Sequence, residues 1–366
     1  MKVAFVANTS WNIYNFRKGL VHHFIAKGDE VLVLSPKDEY TEEVVKWGVK
    51  WIDTPLEGTG INPAKDIRYL RKLRRIFKAE APKVAFCFTI KSNIYSCLAA
   101  RSIQTSIICN VSGLGTVFLV DDLVAKFAIN LYRIAFRSAS FIFFQNEDDQ
   151  NLFLSKVSLP KNKIGLLPGS GIDLTEYQYS QPNFGGVTKF LMISRLIIEK
   201  GVREFAEAAS HFEGNDKVSF TLVGRFNEIH SRSIDKAELD TWISKGWIKY
   251  LPHTDQIKNI IQDHEVIVLP SYREGTPRTL LEGAASGRAL LASNVAGCKE
   301  VVEDGMNGFL FEVKDASHLL GRIKLYLSLA LNERETMAKN SRQLAERKFD
   351  EKLVVESYEN SLHRIK

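Results

Sequence analysis

The chain has few cysteines and little proline or glycine. Its 366 residues include only 4 Cys, 10 Pro and 23 Gly, which excludes a disulfide scaffold, a collagen and a Pro-rich disordered protein. Cys87, Cys97, Cys109 and Cys298 form no Cys-x-x-Cys pair, so we interpret them as reduced core residues. With 45% hydrophobic and 25% charged residues, the chain can bury a large core and is predicted to be globular.

The sequence also lacks the roughly 18 consecutive apolar residues of a membrane-spanning helix. The closest segment, residues 123–136, is interrupted by Lys126, Asn130 and Arg133. The N-terminal MKVAFVANTS has too few apolar residues before Asn8 for the apolar core of a signal peptide. We therefore expect a cytoplasmic protein.

The net charge of +6 is confined to one half of the chain. Residues 1–180 contain 23 Lys and Arg against 17 Asp and Glu, whereas residues 181–366 contain 26 of each kind. This asymmetry predicts that the first half meets an anionic partner.

Short apolar runs alternate with helical segments along the whole chain. The runs are almost entirely apolar, as is typical of parallel strands that are covered on both faces. The predicted strands are residues 2–7, 30–35, 83–88, 106–111, 140–145, 189–194, 218–223, 247–251, 265–270 and 289–293. Helical stretches lie between the strands, and the predicted helices include residues 16–27, 66–78, 201–211, 231–245, 255–262, 277–287, 315–329, 332–346 and 351–364. The pattern predicts an α/β protein with two doubly wound domains.

The turn-rich stretch 168–186 is the predicted boundary between the domains. We expect an N-terminal domain over residues 1–170, a C-terminal domain over 187–345, and a terminal helix within 346–366. Ligands of open α/β sheets bind beyond the carboxyl ends of the strands. The loops that follow the strands are therefore where candidate site residues are sought.

The loop after the strand at 189–194 reads SRLIIEKGV and places two cations beside the start of a helix. Arg195 and Lys200 follow the strand, and Gly201 opens the helix. Basic side chains and the free amides of a helix N-terminus suit a diphosphate. Taken alone, the spacing favours an Arg and a Lys that are merely solvated on an ordinary turn.

The loop after the strand at 265–270 reads SYREGTPRTLLEGAASG. Thr276 fits a helix N-cap and Pro277 the first helical position. The free amides of Arg278, Thr279 and Leu280 would then face a ligand. Glu274 precedes the helix and Glu282 lies on it, and two carboxylates placed so can accept hydrogen bonds from the paired hydroxyls of sugars. Two Glu eight positions apart are by themselves common and carry no assignment.

The two loops in this order, with the following GRALLASNVAGCKEVVEDGMNGFLF, resemble the donor domain of the family four retaining glycosyltransferases. Segments of the first half, among them NIYNFRKGL, TIKSNIY and NVSGLGTVF, are similar to a bacterial subgroup of that family. The subgroup extends undecaprenyl-diphosphate-linked glycans for O-antigen, capsule or protein glycosylation. The resemblance covers nearly the whole chain and implies the GT-B fold, in which two Rossmann-like domains face each other across a cleft.

The resemblance also implies roles for single residues. Arg195 and Lys200 would neutralise the departing diphosphate, and Glu282 would hold the ribose hydroxyls. Glu274 would hold hydroxyls of the donor sugar, while Gly275, Thr276 and Pro277 shape the loop around the sugar. Together with the amides of Arg278, Thr279 and Leu280, these residues form the expected donor site, and Glu274, Arg195 and Lys200 its catalytic part.

The expected reaction moves a hexose or N-acetylhexosamine, with N-acetylgalactosamine favoured, from a UDP-sugar to a lipid-linked glycan with retention of anomeric configuration. The chain contains no Asp-x-Asp, the carboxylate pair with which metal-dependent sugar transferases usually hold their cation. We therefore expect no metal and no cofactor. The terminal helix is expected to return to the first domain, as it does in this fold. No nucleic-acid partner is implied.

The first half departs from the wider family in having no His in a loop that could face the donor. Arg17, Lys91, Ser112, Gly113 and Gly115 lie where the wall of the cleft is expected, and we take them as candidates for contacts with the acceptor or donor. For the two glycines, simple turn chemistry is an equally good explanation.

A basic amphipathic segment lies in the first half. Residues 66–83 contain seven Lys and Arg and two acids, with Ile67, Leu70, Leu73 and Phe77 at helical spacing. We expect the apolar stripe to pack inward and the basic rim to face anionic lipid, which would place the enzyme on the cytoplasmic face of the inner membrane. Residues 117–132 are a second candidate contact. The alternative is that the basic residues are only a solvated face.

Two other functions remain open from the sequence. A sugar-nucleotide epimerase could use the same fold without an acceptor, and a non-catalytic protein could bind sugars with the same loops. A UDP-release assay with and without a lipid-linked acceptor distinguishes these possibilities.

Overall fold

The computed structural model describes residues 1–56, 62–114, 118, 123–227 and 232–365. The chain divides into two compact units. The first contains Met1–Gly171 and the C-terminal residues from Glu351 onward, and the second contains Ile172–Asp350. The chain passes from the first unit to the second within the turn-rich stretch 168–186. None of the described helices has the length and apolarity that crossing a bilayer requires.

Within the described residues, the first unit is built on a parallel sheet of seven strands in the order β3-β2-β1-β4-β5-β6-β7. The strands are β1 Lys2–Val6, β2 Glu30–Ser35, β3 Lys50–Asp53, β4 Val84–Phe88, β5 Ser106–Val111, β6 Phe141–Phe144 and β7 Ile164–Leu166. The helices are α1 Ser10–Phe16, α2 Lys18–Ala26, α3 Thr41–Val45, α4 Pro63–Glu80, α5 Ile90–Ala99, α6 Leu123–Phe136, α7 Glu147–Lys156 and α15 Glu351–Arg364.

Helices cover both faces of this sheet, so that alternate residues of each strand enter different cores. Ala4 and Val6 of β1 pack on the face that carries α4, α5 and α6. Val3 and Phe5 pack on the opposite face, together with Phe24 of α2 and side chains of α15. Burial on both faces explains why the strands read as continuous apolar runs.

The second unit repeats this arrangement, with a described parallel sheet in the order β10-β9-β8-β11-β12-β13. Its strands are β8 Thr188–Ile193, β9 Val218–Val223, β10 Lys249–Leu251, β11 Val266–Leu269, β12 Ala289–Ser293 and β13 Gly308–Phe311. Its helices are α8 Val202–Ser210, α9 Lys236–Ser244, α10 Ile257–Gln262, α11 Arg278–Ala285, α12 Ala296–Lys299, α13 Ala316–Ser328 and α14 Leu331–Leu344, with a π-helical turn at Ala345–Phe349.

The predicted α/β class is confirmed, and each predicted strand corresponds to an observed one. Three strands were missed, namely β3, β7 and β13. The helix predicted over 16–27 is wrong at its start, because the chain leaves helical geometry at Arg17 (φ −130°, ψ 5°) between α1 and α2. All four cysteines are buried and free.

Candidate active site

The two loops singled out in the sequence meet at one end of the second sheet. They follow β8 and β11, which are adjacent parallel strands, so their carboxyl ends lie side by side. The backbone N–H of Tyr272 donates to the carbonyl of Glu199 at 2.9 Å. Gly201 has a φ of +73°, and a Cβ there would lie 2.1 Å from the Pro270 carbonyl oxygen. Only glycine permits both this backbone geometry and this contact between the loops.

Lys200 and Glu274 form an ion pair where the loops meet. The Lys200 ammonium donates to Oε1 of Glu274 across 74 positions of sequence. The side chains are only 21% and 12% exposed. Cys298 lies close to the pair: burial raises the pKa of its thiol, the Glu274 carboxylate raises it further, and Lys200 opposes both. The pair thus lies in a poorly hydrated place, where charges interact more strongly than in water.

The loop after β12 supports Glu274 from a third direction. A Cβ on Gly297, in the short helix α12, would lie 1.3 Å from the Gly275 carbonyl oxygen and 2.8 Å from that of Glu274. The backbone of residues 274–275 therefore rests directly on Gly297. This glycine has a defined packing role that the sequence reading did not assign to it.

The start of α11 differs by one residue from the prediction. Pro277, not Thr276, is the N-cap, with an extended backbone (φ −73°, ψ 120°), and the helix begins at Arg278. The Pro277 carbonyl accepts the amides of Leu280 at 3.1 Å and Leu281 at 3.3 Å. The expectation that the Leu280 amide faces a ligand is therefore wrong, because it is used within the helix and the Leu280 side chain is fully buried.

Glu282 lies on α11 with two hydrogen-bond donors on one of its oxygens. Tyr177 Oη and Arg278 Nε each donate to Oε1 at 3.1 Å. Burial raises the pKa of Glu282, while Arg278 and Tyr177 oppose that effect and Glu176 adds to it. Its side chain is 12% exposed. The two predicted carboxylates thus occupy different surroundings, since Glu274 is paired with a lysine across two loops and Glu282 is held within its own helix and by Tyr177.

Arg195 and Thr279 take separate positions near these groups. Arg195 is exposed, and its carbonyl accepts the amide of Ile197 at 2.9 Å. The Thr279 hydroxyl donates to the carbonyl of Ile193 at 3.3 Å, which ties the first turn of α11 to the end of β8. Of the predicted basic residues, Lys200 is fixed by its partner, whereas the Arg195 side chain extends into solvent.

The candidates in the first unit have varied surroundings. Arg17 is 4% exposed, and its guanidinium carbon lies 4.1 Å from the centre of the Phe88 ring. Lys91 pairs with Asp66 at 2.9 Å, with side chains 16% and 9% exposed. Ser112 is exposed and Gly113 half-buried, while Gly115 lies outside the described residues. Their proposed contacts with substrates stay predictions.

Tyr177 was missed because it lies in the turn-rich stretch that was interpreted only as a domain boundary. No periodicity marks it. The contact between Arg278 and Glu282 was open to prediction, since residues four apart face each other on a helix. Gly297 gives a weaker signal, as a glycine inside a short helical segment after a strand.

Two family models match the chain. Glycosyl transferases group 1 matches residues 175–344, and the glycosyl transferase 4-like domain matches residues 16–169. A curated relative from Campylobacter jejuni subsp. jejuni serotype O:2 is 30% identical over 100% of this chain and 99% of its own length. The chain therefore belongs to the group 1 glycosyltransferases.

That relative is the N,N'-diacetylbacillosaminyl-diphospho-undecaprenol alpha-1,3-N-acetylgalactosaminyltransferase. An Escherichia coli relative, UDP-Gal:alpha-D-GlcNAc-diphosphoundecaprenol alpha-1,3-galactosyltransferase, is 24% identical over 72% of this chain and 71% of its own. The crystal structure of Anabaena Alr3699/HepE in complex with UDP aligns with a TM-score of 0.80 at 17% identity, covering 99% and 100% of the two chains. The predicted GT-B fold is confirmed.

Proposed function

We propose that this glycosyltransferase moves a hexose or N-acetylhexosamine from a UDP-sugar to an undecaprenyl-diphosphate-linked glycan, with retention of configuration and without a metal ion. N-acetylgalactosamine is the first donor to test, because the full-length Campylobacter relative is named for transfer of that sugar to a diphospho-undecaprenol acceptor. The galactosyltransferase from Escherichia coli, also named for a diphosphoundecaprenol acceptor, supports the lipid-linked acceptor but makes galactose the second candidate.

The observation that carries the donor site is the meeting of the loops after β8 and β11 at the Lys200–Glu274 pair. Glycosyl transfer builds negative charge on the departing diphosphate. A fixed ammonium in a poorly hydrated site stabilises that charge more in the transition state than in the ground state, and this lowers the barrier. Arg195, exposed just beyond the end of β8, adds a second cation that can close on the phosphates.

The Lys200–Glu274 pair has two consequences for the reaction. Glu274 holds the ammonium in place before the donor binds, so that no side-chain ordering is needed at the moment of reaction. Within the residues that the structure describes, its Oε2 accepts no hydrogen bond and can accept one from a sugar hydroxyl. Glu282 then takes the ribose hydroxyls, as the family resemblance implies. In this scheme the basic side chains supply the positive charge that a divalent ion provides in other transferases.

The lipid-linked acceptor requires contact with a membrane, and we assign this contact to helices of the first unit. Helices α4, α5 and α6 cover one face of the first sheet. Leu73 and Phe77 of α4 pack inward and are fully buried. Arg68, Arg71 and Arg75 of the same helix are exposed. The inward stripe predicted for this helix is thus only partly correct. Ile67, which was expected to pack inward, is 48% exposed because it lies on a different side of α4 from Leu73 and Phe77.

Helix α6, which covers the same face of the first sheet, adds exposed apolar groups. Leu123 is 84% exposed, Phe127 54% and Ile134 46%, and the helix contains no acidic residue. Exposed apolar side chains among cations are typical of helices that lie in the interface of an anionic bilayer. The enzyme would then act on the cytoplasmic face of the inner membrane.

The test is transfer to a short undecaprenyl-diphosphate-linked acceptor, with UDP-N-acetylgalactosamine, UDP-galactose and UDP-glucose compared as donors. We expect a glycolipid product heavier by one sugar, unchanged turnover in EDTA, and the same anomer in product as in donor. Interconversion of UDP-sugars without an acceptor would establish the epimerase alternative. UDP-sugar binding with no turnover on any acceptor would establish the sugar-binding alternative. Loss of activity in EDTA would contradict the metal-free mechanism alone.

A further inference from the structure

The carboxylate of Glu282 is held asymmetrically. Its Oε1 accepts two hydrogen bonds, from Tyr177 Oη and from Arg278 Nε, both at 3.1 Å. Within the part of the chain that the structure describes, its Oε2 accepts none. One oxygen is therefore saturated by protein donors, while both lone pairs of the other are available to a ligand.

The phenol of Tyr177 is itself fixed in place. The N–H of Tyr177 donates to the carbonyl of Asp173 at 2.9 Å. One guanidinium nitrogen of Arg342, in the last turn of α14, donates to the Tyr177 carbonyl at 2.7 Å and to the Ala285 carbonyl at 2.8 Å. Arg342 thus ties the segment that carries Tyr177 to the C-terminal end of α11, and Tyr177 is only 7% exposed.

Arg278 approaches Glu282 from the same helix, four residues earlier. Its guanidinium carbon also lies 6.0 Å from the centre of the Tyr177 ring, so the three side chains form one group. Burial of Tyr177, with Glu282 nearby, raises the pKa of the phenol, which keeps Tyr177 a hydrogen-bond donor at neutral pH.

We infer that Tyr177 and Arg278 are positioning residues that turn Oε2 of Glu282 toward the vicinal diol of the donor's ribose, and that they thereby set selectivity for ribonucleotides over deoxyribonucleotides. This inference rests on the proposed function, since it takes the nucleotide to bind at α11. Each hydroxyl of the diol donates to one lone pair of Oε2. A carboxylate free to rotate would offer either oxygen, and its ordering on binding would cost part of the affinity.

The experiment measures the affinities of UDP and 2'-deoxy-UDP by titration calorimetry for the full-length protein and its variants. A hydrogen bond to a charged group is worth about 1.5 to 3 kcal/mol, so the unmodified protein should prefer UDP by roughly 10- to 100-fold. Tyr177→Phe and Arg278→Gln should each reduce that ratio at least threefold, because they weaken UDP more than 2'-deoxy-UDP, which retains only the 3'-hydroxyl. Glu282→Gln should abolish the preference.

Tyr179→Phe is the matched control, because Tyr179 lies two positions away in the same segment and packs against Gly287 instead of Glu282. It should keep the full preference for UDP. Arg278→Lys, which retains the charge but not the geometry of Nε, should give an intermediate ratio. If Tyr177→Phe does not fold, the two Arg278 variants decide the question.

The outcomes separate the two proposals. If UDP is preferred and Glu282→Gln removes the preference, but Tyr177→Phe and Arg278→Gln retain it, the inference is overturned and the donor site stands. Equal weakening of UDP and 2'-deoxy-UDP by these variants would mean a purely structural role and would also overturn it. An affinity for UDP that Glu282→Gln leaves unchanged would overturn the proposed donor site itself.

Discussion

Single residues of the second unit show how the same side-chain type is placed in two different surroundings. Glu274 and Glu282 are separated by eight positions, yet one is paired with Lys200 between loops and the other is held by Tyr177 and Arg278. The sequence predicts both carboxylates and Lys200 as candidate site residues. The pairing of Lys200 with Glu274 and the contact of Tyr177 with Glu282 could not be predicted, because they join residues 74 and 105 positions apart.

Substitution of Lys200 tests its proposed role in stabilising the departing diphosphate. Lys200→Met should lower kcat by about 10²- to 10³-fold, since one preorganised donor to the developing charge is lost, while the affinity for UDP changes much less. Steady-state kinetics with the lipid-linked acceptor and calorimetry with UDP measure the two effects. Lys200→Arg, which keeps a cation, is the control and should retain much of the activity. A fall in affinity with kcat unchanged would argue against a leaving-group role.

Among the elements, the strand order decides where the candidate site lies. The adjacent strands β8 and β11 carry the two loops. The doubly wound pattern predicts that these strands are adjacent, but the sequence of neither strand shows it. The missed strands have local causes. β3 reads KWID, with polar ends and a partly exposed face, and β7 has only three residues. Both are edge strands and therefore lack the continuous apolar run of central strands.

Helix α4 shows a further limit of sequence patterns. Its basic residues look alike in the sequence, but Arg74 donates to the carbonyls of Ala99 and Arg101, at 3.2 and 2.8 Å. Arg74 thus binds the end of α5 and belongs to the structure of the first unit. Arg68, Arg71 and Arg75 are exposed and remain candidates for lipid contact.

Liposome binding tests the proposed membrane surface. Replacing Arg68, Arg71 and Arg75 by Gln should weaken binding to vesicles with anionic lipid by about 1 kcal/mol for each charge, or roughly a hundredfold in all. Phe127→Ser should add to the loss by removing an inserted ring. Flotation with anionic and with neutral vesicles measures both effects.

The matched control for this experiment replaces Lys217, Lys249 and Lys339, three exposed bases of the second unit. It removes the same charge and should leave vesicle binding almost intact. Equal losses in both triple variants would mean that net charge, not this surface, governs binding.

At the scale of the whole molecule, the chain returns to its first unit at the C-terminus. Tyr358 of α15 is fully buried against the first sheet. Its hydroxyl accepts a hydrogen bond from Asn110 of β5 at 2.7 Å, and its ring meets the edges of Phe86 and Phe143 with centres 5.3 and 5.0 Å apart. The core of the first unit is thus completed by residues from the opposite end of the sequence.

Substitutions of Tyr358 measure how much the packing of α15 stabilises the first unit. Tyr358→Ala should lower its free energy of unfolding by about 3 to 5 kcal/mol, the usual cost of removing a buried aromatic ring. Tyr358→Phe should cost about 1 to 3 kcal/mol, because Asn110 loses its partner. Urea denaturation followed by circular dichroism gives both values. Asn360→Ala, at an exposed position of the same helix, should change little, and an equal effect there would contradict the assigned packing.

The sequence by itself determined the α/β class, the strands that are buried on both faces and the family, and it predicts Lys200, Glu274 and Glu282 as site residues. These features are local: they depend on hydrophobic runs, on helix-start residues and on short motifs that each lie within one stretch of chain. Only the tertiary structure decided that Lys200 pairs with Glu274, that Tyr177 contacts Glu282, that Arg74 binds the end of α5, and that Tyr358 of α15 contacts Asn110 of β5. Those contacts join distant segments, and they form only when adjacent strands and covering helices bring the segments together.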